Sequence, residues 1–299
     1  MDGGTDRAGT SRQRHGWVDV GPEVVELLAS VHRGRVYDLS SGWWPGMPLG
    51  AGHPAFTVVT YRTPFGERNQ ADLGFLHGNT VNFGFLSELL IFTAHSGTHV
   101  DALAHITCGQ ESTWYGGHSA KVDLGDFGPL RDDAWDLPPF VGRGVLLDVP
   151  ATLGRAHLSA HERIGPEELE RTSERQGTSL RPGDIVAIRT GTMQFWPDPV
   201  ALERVDGAGL SLAGARWLVA HEPSVLAGDN VALEVSPSGI DGDPQPVHRY
   251  VIQEHGIPSM EWLDLEQLAR DEVYEFLFIA LPLTIAGATG SPIRPIALT

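Results

Sequence analysis

The sequence predicts a single α/β domain in which mixed, largely antiparallel β-sheets are flanked by peripheral helices. Two observations support this: short β-branched and apolar runs outnumber helical segments, and their spacing lacks a strict strand–helix alternation. With 299 residues, 41% hydrophobic and 20% charged, the chain has an ordinary globular composition. We expect residues 1–34 to be an N-terminal tail with a short helix and residues 35–299 to be the folded domain, since no linker divides the chain further.

The predicted strands are apolar or β-branched runs bounded by Gly, Pro and polar residues. The run 89–94 (LLIFTA) is continuously apolar, which is typical of a buried strand. The strands are predicted at 36–39, 56–61, 89–94, 144–149, 184–189, 225–235 and 276–283.

Three helices are predicted, over 164–170, 212–220 and 260–268. The first has Pro166 near its start and two acidic residues in its first turn, which favour a helix N-terminus. The segment 40–54 is interrupted by Gly and Pro so often that we expect a long loop.

Charge and cysteine content exclude several classes of protein. Lys and Arg number 21 against 38 Asp and Glu, a net charge of −17, which repels phosphate backbones and argues against nucleic-acid binding. One cysteine, Cys108, excludes an internal disulfide framework and a Cys-rich zinc module. The apolar runs are far shorter than the roughly 20 residues of a membrane span, and the polar N-terminus lacks a signal-peptide core. We expect a cytoplasmic protein without a membrane partner.

One segment, HSGTHVDALAH, concentrates groups that bind metals. His95, His99, Asp101 and His105 lie within eleven residues. A set of histidines and a carboxylate suits Zn²⁺, Mn²⁺ or Fe²⁺, and this spacing is too dense to be a chance occurrence. The segment therefore predicts a metal site.

Spacing also predicts how the segment folds. All four offsets are even, so on a strand the side chains would share one face, but His95 and His99 would then lie roughly 13 Å apart. That is too far for one ion with bonds near ~2.1 Å, so the chain must bend, and Gly97 permits the bend. We expect strand 89–94 to deliver His95, a turn at 96–98, and then His99 and Asp101. His105 can approach the same cavity without being a ligand.

These residues resemble the motif H-x-G-T-H-x-D-x-P-x-H of the metal-dependent cyclase/hydrolase family, which includes kynurenine formamidases and isatin hydrolases. The resemblance extends from about residue 36 to the C-terminus through DLS, GRGVLLDV, RPGDIVAIRTG and GATGSPIRPIAL. It implies the swivelling β/β/α cyclase-like fold and a divalent metal, Zn or Mn, as one or two ions. It also implies a homo-oligomer, such as a homodimer, because relatives form dimers or larger assemblies.

The resemblance also implies roles for individual residues. In the family, the first two histidines and the aspartate of the motif bind the metal. Family members with a second metal position add a His and a Glu ligand from the C-terminal third of the chain. The last histidine of the motif acts in catalysis. By position, the implied ligands are His95, His99, Asp101, His248 and Glu261, and the implied catalytic residue is His105.

The sequence departs from the family motif at Ala102-Leu103-Ala104, where Leu103 replaces the proline. The small Ala104 suggests a different or roomier substrate pocket than in relatives. Trp43 and Trp44, in the Gly/Pro-rich loop, are candidates to cap the substrate, with buried packing as the equal alternative.

The implied activity is hydrolysis of an amide, lactam, lactone or formamide bond in a small cyclic or aromatic substrate. The metal would polarise the carbonyl and activate water, and His105 would move the proton. The alternative is a cyclase or dehydratase acting on a natural-product, polyketide-like carbonyl compound. A third hypothesis is a non-catalytic binding protein stabilised by a metal; the three predicted ligands leave room for water, whereas a structural zinc site is usually closed by four.

Overall fold

The computed structural model describes residues 21–29, 31–32 and 34–299. Within these residues, nine strands form one mixed sheet, and six more form three separate two-stranded sheets. In chain order the strands are β1 Val36–Asp38, β2 Thr57–Arg62, β3 Ser87–Ile91, β4 His99–Asp101, β5 Leu124–Gly125, β6 Gly128–Pro129, β7 Phe140–Asp148, β8 Arg163–Ile164, β9 Ile185–Arg189, β10 Gly209–Leu210, β11 Val225–Gly228, β12 Ser259–Glu261, β13 Glu275–Ala280, β14 Gly290–Pro292 and β15 Ile296–Leu298.

Most helices connect the strands of the large sheet. Several begin at Pro, whose fixed φ suits the first helical turn. The helices are α1 Gly21–Ala29, α2 Pro64–Gln70, α3 Ala120–Asp123, α4 Val149–Thr152, α5 Pro166–Gln176, α6 Pro199–Leu202, α7 Leu212–Val219, α8 Pro246–His248 and α9 Glu266–Arg270, with a π-helical segment at Arg249–Glu254 and 3₁₀ turns at Gly74–Leu76, Tyr115–Gly117 and Thr192–Phe195.

The large sheet has the order β1-β15-β13-β7-β9-β11-β12-β4-β14. Its centre, β7-β9-β11-β12, is parallel, and the strands on both sides pair antiparallel. The predicted fold class, a mixed and largely antiparallel α/β domain with peripheral helices, is confirmed.

Each face of the sheet packs against its own hydrophobic core. Along β9, Ile185 and Ala187 join one core while Val186 and Ile188 join the other, because neighbouring strand residues point to opposite faces. The second core includes residues from α5 and α7, such as Leu169 and Leu218, so the helices cover that face. Covering both faces is what a parallel centre requires.

Several element predictions match the structure, two are wrong, and one predicted strand is too long. The predicted buried strand at 89–94 is the exposed strand β3, Ser87–Ile91, which pairs with β2 in a separate two-stranded sheet. The predicted helix at 260–268 is strand β12 followed by α9, because Ser259–Glu261 pairs with both β11 and β4. The predicted strand 225–235 ends at Gly228.

The predicted domain boundary at residue 34 stays a prediction, and residues 1–20 of the predicted tail lie outside the described residues. None of the helices in the described part of the chain has the length and apolar character needed to cross a bilayer.

Candidate metal centre

The motif segment lies at one margin of the large sheet, where three short antiparallel strands meet. Strand β4 carries His99 and Asp101, with β12 on one side and β14 on the other. His99 faces Glu261 directly in the register of β4 and β12. The pairing of β4 with β12 therefore brings together His99 and Glu261, which are 162 positions apart in the sequence. The motif segment alone does not predict this contact.

The turn before β4 has the predicted bend. Gly97 adopts φ +61°, and a Cβ there would lie 2.9 Å from both Met47 and the Trp43 indole nitrogen. The Trp43 indole N–H donates a hydrogen bond of 2.7 Å to the Ser96 carbonyl, which stabilises the turn at residues 96–98. Because of this bend, His95 folds back towards β4 instead of continuing along an extended strand.

Asp101 lies at the middle of the cluster and is 1% exposed. Its Oδ1 lies 2.7 Å from His95 Nδ1, 3.4 Å from His99 Nε2 and 3.9 Å from His105 Nε2. Its Oδ2 accepts a hydrogen bond of 2.8 Å from the Ser259 hydroxyl. One carboxylate oxygen, Oδ1, thus faces three imidazoles.

A second group forms on the other side of Asp101. His99 Nε2 lies 3.6 Å from Glu261 Oε2, and His248 Nε2 lies 2.9 Å from Glu261 Oε1 and 3.8 Å from Asp101 Oδ2. The His99 Nδ1–H donates to the Gly97 carbonyl at 2.7 Å, which points Nε2 into the cluster. The predicted residues His248 and Glu261 therefore lie beside the motif.

Glu234 orients His248 from behind. It is 3% exposed and accepts hydrogen bonds from the backbone N–H groups of Val247 and His248, each 3.1 Å long. The His248 Nδ1–H donates to the same carboxylate at 2.6 Å. A carboxylate bound to the outer nitrogen of a histidine fixes the ring and makes the inner nitrogen a better ligand.

The electrostatics of the cluster follow from two buried carboxylates among several imidazoles. Burial opposes charge on His99, yet its interactions with Asp101 and with the charge of Glu261 raise the pKa of His99 to about 9. Against the effect of burial, the charge of His105 and the contacts of His95 and His99 hold the pKa of Asp101 well below its ordinary value. Burial, reinforced by the charge of Asp101, raises the pKa of Glu261.

His105 differs from the other motif residues in exposure and charge. Its side chain is 28% exposed, against 10% for His95, 2% for His99 and 1% for Asp101. Its ring stacks on His95 with the centroids 3.9 Å apart. Burial, together with repulsion from the neighbouring histidines, lowers the pKa of His105 to about 4, so this imidazole is neutral near pH 7.

The donor set fits a divalent cation. Two groups, His95–Asp101–His105 and His99–Asp101–Glu261, each bring their ligand atoms within 4.8 Å of one another. Within the described part of the chain, neither Asp101 nor Glu261 forms an ion pair with Lys or Arg. Two buried carboxylates whose partners are imidazoles make a site that a divalent cation would stabilise once the imidazoles lose their protons. Asp101 belongs to both groups, as a ligand shared between two ions would.

Three tryptophan rings pack in succession close to the cluster. Trp44 and Trp196 contact edge to face at 5.6 Å, and Trp196 lies 5.0 Å from Trp262, the residue after Glu261. Trp43 is half-buried against the turn before β4. Ala104 is buried, and its N–H donates to the Asp132 carbonyl at 2.9 Å.

Sequence reasoning did not single out Glu234, His53, Ser259 or Thr289. His53 stacks on His95 at 6.0 Å, and the Thr289 hydroxyl lies 3.0 Å from His95 Nε2. Each is an isolated residue far from the motif in sequence. Only the pairing of β12 and β14 with β4 brings Ser259 and Thr289 to the site, so spacing gave no signal.

The fold and the cluster define a class of protein: a mixed α/β domain with a buried histidine–carboxylate centre at the margin of its sheet. Comparison with known protein families identifies the family within this class. The model of the Cyclase family, described as "Putative cyclase", matches residues 37–235, which is more than half of the chain. The chain belongs to this family.

Curated relatives are similar at lower identity. Cyclase-like protein 2 of Oryza sativa subsp. japonica is 27% identical over 217 residues, which is 71% of this chain and 65% of the relative. Kynurenine formamidase of Sphingopyxis alaskensis is 27% identical over 271 residues, 88% of this chain and 97% of the relative. This chain therefore spans slightly less than two thirds of the rice protein and nearly all of the bacterial one.

Solved structures share the fold. A protein described as a novel cyclase superposes with a TM-score of 0.79 at 27% identity and covers 94% of each chain. Isatin hydrolase A from Labrenzia aggregata superposes with a TM-score of 0.66 at 18% identity, over 92% of this chain and 97% of its own. At that identity the second likeness shows the fold alone.

Proposed function

We propose that this protein is a metal-dependent hydrolase that cleaves an amide, lactam, lactone or formamide bond in a small cyclic or aromatic substrate. The observation that carries the proposal is the buried cluster around Asp101, in which His105 is both the most exposed imidazole of the motif and neutral near pH 7. The name of the relative kynurenine formamidase supports a substrate with a C–N bond.

The metal would be held by His95, His99 and Asp101, with His248 and Glu261 completing a second position. A divalent ion there would lower the pKa of water and polarise the substrate carbonyl. Zn²⁺ and Mn²⁺ both accept a mixture of imidazole and carboxylate ligands.

The residues of this chain would move the proton and fix the geometry. His105 Nε2 accepts the proton of the attacking water, whose oxygen bonds to the carbonyl carbon. The C–N or C–O bond then breaks, and His105 returns the proton to the leaving atom. Asp101 stays ionised throughout, because its pKa is held well below the ordinary value.

The aromatic surroundings support a planar substrate. Trp44, Trp196 and Trp262 form a continuous row of rings that ends one residue from Glu261. Aromatic rings favour offset or edge contacts with planar ligands. We assign Trp43 and Trp44 to the substrate side of the site, with Ala104 setting the room available.

The experiment is an assay of metal-stripped and reconstituted protein on N-formylkynurenine and isatin. We expect no hydrolysis after chelation and recovery with Zn²⁺ or Mn²⁺. Turnover that survives complete removal of the metal would contradict the proposal. Metal binding without turnover of either compound would remove these two substrates and direct the assay to lactones.

A cyclase or dehydratase is the second candidate, favoured by the family description and by the cyclase-like relatives from rice and Arabidopsis thaliana. The same carbonyl activation and the same base would serve enolisation. The mass of the product distinguishes the two, since hydrolysis adds water and cyclodehydration removes it.

A further inference from the structure

A histidine outside the motif lies against the metal centre. His53 belongs to the long loop between β1 and β2 and is half-buried. Its ring stacks on the ring of His95, with the centroids 6.0 Å apart and an angle of 27° between the planes. His95 also stacks on His105, the proposed general base, at 3.9 Å. A substrate that reaches His105 therefore comes within reach of His53.

Two hydroxyl groups connect His53 to the turn before β4. Ser96 Oγ lies 2.9 Å from Thr93 Oγ1, and Thr93 Oγ1 lies 3.1 Å from His53 Nδ1. Ser96 is 1% exposed, and within the described residues its hydroxyl has no other hydrogen-bond partner. A buried O–H group without an acceptor is costly, so Ser96 donates its proton to Thr93 and does not accept from it.

The direction of this first hydrogen bond determines the direction of the second. Thr93 accepts from Ser96 and has one hydroxyl proton of its own, which it donates to His53 Nδ1. Because Nδ1 is the acceptor nitrogen of the neutral ring, the ring proton is on Nε2. His53 thus presents an N–H donor on the edge of its ring that faces away from Thr93.

The Nε2 edge of His53 has room for a ligand. Within the part of the chain that the structure describes, no protein group hydrogen-bonds to this nitrogen. Gly50 lies beside it, and a Cβ added there would lie 3.4 Å from His53 Cδ2 and 3.9 Å from His53 Nε2. Glycine therefore leaves this edge uncovered where a side chain would cover it. A half-buried imidazole N–H in this position can donate to a bound ligand.

The groups around His53 favour an uncharged acceptor on that ligand. Among the described residues, the charges that act most on His53 are those of His95, His99 and Asp101. Carboxylate ligands are usually bound by Arg or Lys through charge-assisted hydrogen bonds, and neither residue type is among these groups. A single N–H donor of a neutral ring instead matches a carbonyl oxygen.

We propose that His53 is a specificity-determining residue whose Nε2–H donates a hydrogen bond to a second carbonyl oxygen of the substrate, beside the bond that is cleaved. This role rests on the proposed hydrolase function and narrows its substrate class. The class is that of small aromatic amides, lactams or formamides that carry a ketone close to the scissile carbonyl. His53 fixes the orientation of such a substrate, and His105 moves the proton.

The test compares two substrates that differ in the second carbonyl. N-formylkynurenine carries a ketone beside its formamide group, whereas formanilide has the formamide alone. Both are assayed with wild type, His53→Phe, His53→Gln and the control His221→Phe. Phe keeps a ring and removes the donor, and Gln restores an N–H at a similar reach. His221 is a half-buried histidine whose Nδ1 bonds to the Trp217 carbonyl, outside the cluster.

We expect His53→Phe to lower kcat/KM for N-formylkynurenine about tenfold, mainly through KM, because one hydrogen bond to the bound substrate is lost. For formanilide the same variant should change kcat/KM by less than about twofold, since that substrate has no second carbonyl to bind. His53→Gln should recover most of the loss, and the control should match wild type. Equal losses on both substrates, as a merely structural role would give, or no loss on N-formylkynurenine, would overturn the proposal.

Nitrogen NMR of the zinc-loaded protein separates this role from the proposed function. The His53 signals, assigned by their absence in His53→Gln, should show the proton on Nε2. The Nε2 signal should shift on addition of isatin, whose ketone adjoins its lactam carbonyl, but not of oxindole, which lacks the ketone. If wild type hydrolyses neither N-formylkynurenine nor isatin, the proposed function fails for these compounds and the titration alone decides the role of His53. A proton on Nδ1, or the same response to isatin and oxindole, would refute the role.

Discussion

At the scale of single residues, the position of His105 is compatible with two roles, general base and metal ligand, which mutagenesis can distinguish. It is the exposed base of the proposed reaction, yet it also belongs to one of the two potential ligand groups. We predict that His105→Ala lowers kcat by roughly 10²–10⁴-fold, the usual contribution of a general base, while bound metal stays unchanged.

Metal analysis beside the kinetics checks this prediction. His255→Ala serves as the control because His255 is an exposed histidine outside the cluster. Loss of metal in His105→Ala would show that His105 is a metal ligand. Another residue would then have to act as the general base in the proposed hydrolysis.

Glu234 positions His248 without facing the centre of the cluster. We predict that Glu234→Gln weakens metal binding at the His248–Glu261 position by about 10–100-fold, since it replaces the carboxylate behind a ligating histidine. Chelator competition measures the affinity, with the exposed Glu203→Gln as the control. An unchanged metal affinity would contradict this prediction and would show that Glu234 serves only as a buried hydrogen-bond acceptor.

The pKa of His99 makes metal binding depend on pH. In the metal-free protein this pKa is raised to about 9, so His99 carries a proton at pH 7 that a metal must displace. We predict that apparent metal affinity rises with pH up to about 9, by about tenfold per unit for each proton released. Calorimetry in buffers of different ionisation enthalpy measures the release, and an affinity independent of pH between 7 and 9 would contradict it.

At the scale of elements, the close approach of β14 to His95 is a packing requirement. A Cβ at Gly290 would lie 2.6 Å from His95 Cε1 and 2.8 Å from the Val100 carbonyl oxygen. We predict that Gly290→Ala displaces His95, lowers metal occupancy and reduces the free energy of unfolding by about 1–3 kcal/mol.

The matched control for Gly290→Ala is Gly142→Ala. Gly142 also lies in a strand of the large sheet, but its added Cβ would make an ordinary 3.4 Å contact with Ile185. Metal content and urea denaturation of both variants measure the effect. Full metal occupancy in Gly290→Ala would show that β14 tolerates the shift.

The elements also show where sequence patterns mislead. The run 89–94 is apolar, and apolar runs usually indicate burial, but Leu89, Leu90 and Ile91 are exposed on the two-stranded ribbon that β3 forms with β2. The segment 260–268 has no local signal that distinguishes a three-residue strand from the start of a helix. Its strand form depends on pairing with β11 and β4, which are distant in sequence.

At the scale of the whole molecule, residue spacing predicts only the local part of the site, and the distant part required the family resemblance or was missed. The bend at Gly97 follows from residue spacing alone, because a straight strand would separate His95 from His99 too widely. His248 and Glu261 came from the family resemblance. Glu234 gave no signal, since it meets His248 only after the chain has folded.

The most direct test of the central claim is the metal content of the purified protein, measured by mass spectrometry for wild type and for Asp101→Asn. Asp101 is shared by both ligand groups, and the exposed Asp241→Asn is the control. We expect stoichiometric divalent metal in wild type and in the control, and loss of most of it in Asp101→Asn. A wild-type protein that takes up neither Zn²⁺ nor Mn²⁺, or an Asp101→Asn variant that keeps its full complement, would contradict the account.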